Sequence, residues 1–150
     1  MKLSTRSRYG VRFLLDLALH AGEGPVQLGV VARRQGIDVK YLEQIVMPLK
    51  KANYVTGVRG AKGGHRLGRP PEEITVAGVV ALLEGGLKLT DCIGSAGACE
   101  RSEQCVTRIV WAEATRAVFE HLEAVSLRDL MNRVPGASGF EECGALQQEK

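Results

Sequence analysis

Long apolar runs are missing from this 150-residue sequence. None approaches the roughly 20 residues that a helix needs to cross a bilayer, so no membrane protein is expected. The opening Met1 Lys2 Leu3 Ser4 Thr5 Arg6 leads straight into a charged amphipathic pattern and lacks the hydrophobic region of a signal peptide. A cytoplasmic location is the expectation. Also missing are paired carboxylates, a Ser/His/Asp arrangement, a phosphate-binding glycine loop and a second cluster motif, the groupings on which a catalytic site would be built. No enzyme is expected. There is no internal repeat, and the cysteines lack the two-residue spacing of common zinc ribbons.

What is present fits one soluble domain with an appended helical segment, at 45% hydrophobic content. The net charge of +3 conceals an asymmetry about Pro70. Residues 1–69 hold 13 Lys or Arg against 4 acids, and residues 70–150 hold 7 against 13. A basic first half suits DNA, where release of counterions supplies affinity. The acidic half needs another role.

The stretch Asp38 to Arg69 organises the reading. Asp38 is placed to cap a helix running to Asn53, with Leu42, Ile45, Val46 and Leu49 on one apolar stripe and Lys40, Tyr41, Glu43 and Gln44 opposite. Pro48 removes a backbone donor and is expected to kink the last turn. Upstream, Gln27 to Gln35 is a shorter helical pattern closed by Gly36, so two helices meet through a tight turn, a helix-turn-helix signature. Tyr54 to Val58 then reads as a strand with His65 Arg66 Leu67 as its return. Between them Arg59 Gly60 Ala61 Lys62 Gly63 Gly64 makes a turn that needs positive φ. The basic tip of such a wing can lie along phosphates or enter a minor groove. A surface hairpin with a few cations is the blander alternative.

The other elements follow from caps and periodicity. Leu3 to Ala21 is helical, and its start carries Lys2, Arg6, Arg8 and Arg12. Cations there oppose the helix dipole and call for an anionic neighbour, either phosphate or an acidic subunit, unless the face is merely solvated. Thr75 caps Val76 to Glu84, and the winged domain is expected to span residues 1–84. Residues 85–105 form a glycine-rich cysteine loop. Glu103 to Val125 is a long helix, about 30 Å at 1.5 Å per residue, too long to bury against so small a domain. A second subunit would cover it; packing across its own domain is the alternative. Ser126 caps a short helix through Arg133, so residues 103–134 form a dimerisation and C-terminal helical segment, and residues 135–150 read as a disordered tail. The architecture is mainly α: a winged helix-turn-helix domain with a two-stranded β wing and a long C-terminal dimerisation helix.

Cys92, Cys99 and Cys105 are separated by six and five residues in the glycine-rich loop. An intracellular chain seldom keeps disulfides, so these thiols suggest ligands for a soft metal or cluster. Reduced structural cysteines, a thiol–disulfide switch and zinc bound by three thiolates remain as alternatives. Cys143, in the tail, reads as a spectator, and His20 and His65 as surface or packing residues.

Taken together, the chain resembles the Rrf-two family of winged-helix transcription regulators over residues 1–134. The resemblance is carried by the opening Met1 to Gly10, Tyr41 Leu42 Glu43 Gln44, the Arg59 to Gly64 wing, Leu83 Glu84 Gly85, the three cysteines and Ser126 Leu127 Arg128 Asp129 Leu130. It implies a homodimer on palindromic promoter DNA, acting as a repressor. Glu43 and Gln44 would meet base edges, and Arg59 beside Gly60 would enter the minor groove. Lys40, Tyr41 and Lys62 would contact the backbone. It further implies an iron–sulfur cluster, two-iron or four-iron, on Cys92, Cys99 and Cys105, sensing cluster, redox or nitric oxide status. One cluster-binding branch of the family has a histidine three residues after the last cysteine, and here that place is Arg108. His121 lies sixteen residues beyond Cys105, roughly 24 Å along a continuous helix. Asp91, Glu100, Glu103, the partner subunit or an exogenous molecule would then complete the set. The alternative is a cluster-free member of the family controlled by thiol oxidation, zinc or a partner protein.

Overall fold

The computed structural model describes residues 3–93, 99–101 and 104–134. The tail at 135–150 with Cys143, and Glu103 among the ligand candidates, lie outside the described residues. The elements run α1 (Thr5–Leu19), a 3-10 turn, α2 (Leu28–Gln35), α3 (Val39–Lys51), β1 (Val55–Val58), β2 (Gly64–Leu67), a second 3-10 turn, α4 (Val76–Glu84), α5 (Val106–Glu123) and α6 (Leu127–Asn132). The fold is mainly helical with one two-stranded antiparallel sheet, as expected.

Helix α1 is the centre of the domain. Its Phe13, Leu14 and Leu17 are buried, and burial of each such side chain is worth about 1.5–3 kcal/mol. They join Val31, Leu42, Ile45, Leu49, Ile74 and Val79 in one core. The expected caps are in place. The Asp38 carboxylate accepts the Tyr41 N–H at 3.0 Å, Thr75 Oγ1 accepts the Gly78 N–H, and Ser126 with Asp129 forms a full capping box. Gly36 closes α2 at φ +63°, a left-handed conformation that glycine adopts without strain. Helix α3 runs on through Pro48 to Lys51, although proline gives the Gln44 carbonyl no N–H to accept from.

Two long-range features complete the frame. Val26, just before α2, exchanges backbone bonds with His65 of β2 at 2.9 and 2.8 Å, so the wing is tied to the helix-turn-helix at its root. At the other end, the Val76 N–H donates to Val125 O and the Leu127 N–H to Ile74 O, both at 2.9 Å. This pair of bonds delivers Leu127, 1% exposed, into the core beside α1. Arg128 adds a 2.7 Å ion pair with Glu72.

Helix α5 is different. Among its residues only Thr115 is buried, while Val106, Ile109, Val110, Trp111 and Phe119 are 78, 60, 55, 44 and 39% exposed. Its last turn is fastened to the domain by Thr75 Oγ1 donating to Glu123 at 2.8 Å. Most of its length presents apolar side chains outward.

Candidate nucleic-acid interface and cysteine loop

Burial of Leu42, Ile45, Val46 and Leu49 fixes which way α3 faces. Lys40, Glu43, Gln44 and Met47 are left exposed on the opposite side. The helix period puts positions 40, 43, 44 and 47 on one face. Among the described residues, no side-chain hydrogen bond or ion pair engages Lys40, Glu43, Gln44, Arg59 or Lys62. Tyr41 is held differently from them. Its hydroxyl lies 3.0 Å from Thr5 Oγ1, and its ring meets Tyr9 edge-on at 6.1 Å between centroids, which braces the start of α3 on α1.

The wing tip is closed by the Gly63 N–H donating to Gly60 O at 2.9 Å. Gly60 sits at φ +115°, where a side chain would be strained. Arg59 and Lys62 are exposed on either side of it. Helix α3 and the basic tip are therefore presented by one frame, since β2 is bonded to Val26 and α2 packs on α3.

A buried ionic contact, not anticipated from the sequence, orients the helix-turn-helix. Asp16 of α1, 2% exposed, accepts from Arg34 Nη2 at 2.7 Å and from Gln35 Nε2 at 2.9 Å. His20 Nδ1 is 3.6 Å away. Arg12 reaches the same end of α2, donating from Nε to Gln35 Oε1 at 3.0 Å. A carboxylate of the chain itself stands at the start of α1, bound by hydroxyl groups. Glu84, at the end of α4, accepts the Ser4 N–H at 3.1 Å, the Ser4 hydroxyl at 2.7 Å and the Ser7 hydroxyl. Those hydroxyls hold the Glu84 carboxyl below its ordinary range, with Arg6 adding a smaller push. The Leu83 Glu84 Gly85 run gave the carboxylate; only the fold could give its partners.

In the cysteine loop Cys92 and Cys105 are half-buried and Cys99 is exposed. Thr90 Oγ1 lies 3.1 Å from Cys92 Sγ, and Thr107 Oγ1 lies 3.2 Å from Cys105 Sγ. Cys105 is the N-cap of α5, and its thiol is pushed down by the Thr107 hydroxyl, by the Arg108 and Thr107 backbone and by Arg101. Arg108 Nε donates to the Cys92 carbonyl at 3.0 Å, so the place of the family's histidine holds a guanidinium that ties the loop to α5. A guanidinium offers no lone pair to a metal. Among the described residues, no three of His, Cys, Asp and Glu converge on a metal position. By chemistry the thiols still form a soft donor set, and the lowered pKa of Cys105 makes its thiolate easier to form.

The sequence matches the Rrf2 family, described as an iron-dependent transcriptional regulator, over residues 3–133. The chain belongs to the Rrf2 family. It is 46% identical over 131 residues to protein rrf2 of Nitratidesulfovibrio vulgaris, 87% of each chain. It is 42% identical over 131 residues to the HTH-type transcriptional regulator IscR of Aliivibrio salmonicida, 87% of this chain and 77% of that one. Among solved structures it superposes on T. potens IscR with a TM-score of 0.76 at 37% identity, covering 95 and 94% of the two chains. CymR of B. subtilis, the global cysteine regulator, gives 0.73 at 35% identity, covering 88 and 97%. This Rrf2 chain is thus a winged-helix transcriptional regulator, and its relatives are regulators, not enzymes. Among its described residues no helix is long and apolar enough to cross a membrane.

One wing residue carries a pH signature. His65 packs edge-on against Phe13, 6.2 Å between ring centroids, and its Nδ1 is buried without a hydrogen-bond partner. Burial and the Lys50 charge push its pKa below the ordinary 6.5, opposed by the Val26 backbone. Between those values the unfolded chain holds the proton that the folded Rrf2 domain rejects. Stability contributed by neutral His65 is therefore full above about pH 6.5 and is lost as pH falls through the folded value. Denaturant unfolding at pH 7.5 and 5.5 should show a larger loss for the wild type than for His65→Phe; equal losses would rule the assignment out.

Proposed function

We propose that this Rrf2 regulator acts as a homodimeric repressor on palindromic promoter DNA and senses iron–sulfur, redox or nitric oxide status through its cysteine loop. The observation that carries the DNA reading is the single exposed face shared by Lys40, Glu43 and Gln44, held in one frame with the Arg59–Lys62 tip. Helix α3 would enter the major groove. There Glu43 accepts from a cytosine amine and Gln44 pairs with a base edge, while Arg59 beside Gly60 reaches the minor groove. Lys40, Tyr41 and Lys62 take backbone phosphates. Supporting the homodimer is the outward apolar face of α5, which a second copy would cover, setting two reading heads on two half-sites.

Cys92, Cys99 and Cys105 would hold an iron–sulfur cluster as thiolates, and when bound it supplies a centre sensitive to oxidants and small ligands. The loop that carries them begins just beyond the Glu84 latch on α1 and ends at the N-cap of α5. A change in its order therefore reaches both the reading domain and the dimer helix. The second reading is control by thiol oxidation, zinc or a partner protein, with no cluster. Arg108 in the ligand position favours it.

Three measurements bear on these assignments. Glu43→Ala should relax base preference at one position of a selected site more than it weakens total binding, and uniform weakening would remove its reading role. Ile109→Asp should yield monomers in ultracentrifugation, whereas an unchanged dimer would exclude the α5 interface. Protein purified without oxygen should carry iron and sulfide in matched amounts with visible absorption that Cys92→Ala abolishes. Colourless, iron-free protein that still binds DNA would select the second reading.

A further inference from the structure

The large exposed apolar side chains of the described chain fall into two groups. Val106, Ile109, Val110, Trp111 and Phe119 line α5. Of the remaining Leu19, Val39, Met47 and Val58, three lie on α3 or on the strand that enters the wing. Met47 is the most exposed of these at 59%. It stands three and four residues beyond Gln44 and Glu43, on the same outward face, while its neighbours Val46 and Leu49 are buried.

We propose that Met47 is a specificity-determining residue that reads a thymine C5-methyl group in the major groove. The proposal rests on the reading above, in which α3 lies in that groove. The major groove edge of a T·A pair differs from the others by this methyl, and apolar side chains recognise it by contact. Methionine suits the task, because its unbranched, polarizable thioether adapts to the position of a small apolar group. The polar residues of the face cannot do this. Lys40 carries a charge that seeks phosphate, and Glu43 and Gln44 need hydrogen-bonding edges. Lys50 and Lys51, exposed just beyond Met47, supply cations for the flanking backbone and leave the groove floor to the thioether. One helical turn advances 5.4 Å and one base step about 3.4 Å. The thymine should therefore lie one or two base pairs from the base that Glu43 contacts.

The test selects binding sites from random-sequence duplexes with the wild-type protein, with Met47→Ala and with Met47→Leu. Each thymine of the enriched wild-type site is then replaced by uracil, which lacks only the methyl. One uracil should weaken wild-type binding about four-fold, the effect of one buried methyl-sized group. Met47→Ala should bind the thymine duplex about four-fold more weakly and lose that discrimination, while Met47→Leu keeps it. Melting temperatures should agree, since Met47 is outside the core. An undiminished uracil effect in Met47→Ala, or no thymine enriched beside the Glu43 base, overturns the proposal while leaving DNA reading by α3 intact. A wild-type protein that enriches no sequence at all overturns the DNA reading itself.

Discussion

A carboxylate removed from water must find donors within the protein or give up its charge, and Asp16 meets this requirement with Arg34 and Gln35. The contact ties the last turn of α1 to the last turn of α2. Arg34 is also a cation near a helix C-terminus, where the dipole favours it. Gly36 follows at once, then the turn into α3. The place where α2 ends and the chain turns into α3 is thus fixed by a hydrogen-bonded pair one residue before the turn, while the buried stripe of α3 sets which face it turns outward. Hydrophobic burial holds α1, α2 and α3 together but is not directional. The Asp16 contact adds a directional bond between α1 and the end of α2.

The frame that results is braced at each corner by a polar contact between distant parts of the chain. Glu84 grips the first turn of α1, Tyr41 leans on Thr5 and Tyr9, Val26 pairs with His65, and Ile74 pairs with Leu127 through the backbone. The proposed groove reading would gain from such bracing, because α3 and the wing tip would have to arrive together with their spacing preserved. Lys40, Glu43 and Gln44 of α3 and Arg59 and Lys62 of the wing take no part in such contacts.

What the sequence made legible was local. Asp38, Thr75 and Ser126 announce their caps because each acts on an amide two or three residues away. The glycines at 36 and 60 announce left-handed or related turns for the same reason. The α3 stripe of Leu42, Ile45, Val46 and Leu49 was readable from its period, and its opposite face followed. The partners of Asp16, Glu84 and His65 were not readable, since each lies across a helix crossing or sheet edge that only the assembled fold defines. The same holds for Leu127. Its short helix looked like an appendage to the dimer segment, yet backbone bonds to Ile74 carry it into the core. In the cysteine loop the donor types and Arg108 were plain from the sequence, whereas the hydroxyls of Thr90 and Thr107 beside the thiols and the reach of Arg108 to the Cys92 carbonyl emerged only with the fold.

The placement of Leu127 has a consequence for how this protein is made. Helix α1 is synthesised early, but a wall of its core arrives only with α6, more than a hundred residues later. Contacts of such sequence separation are slow to form, because the intervening chain must first be brought together. A ribosome adding about 5–20 residues per second delivers the whole cysteine loop and α5 before that wall exists. The DNA-reading domain therefore closes last, after the segment proposed to govern it has already emerged. A newborn chain has its thiols before it has a finished reading head.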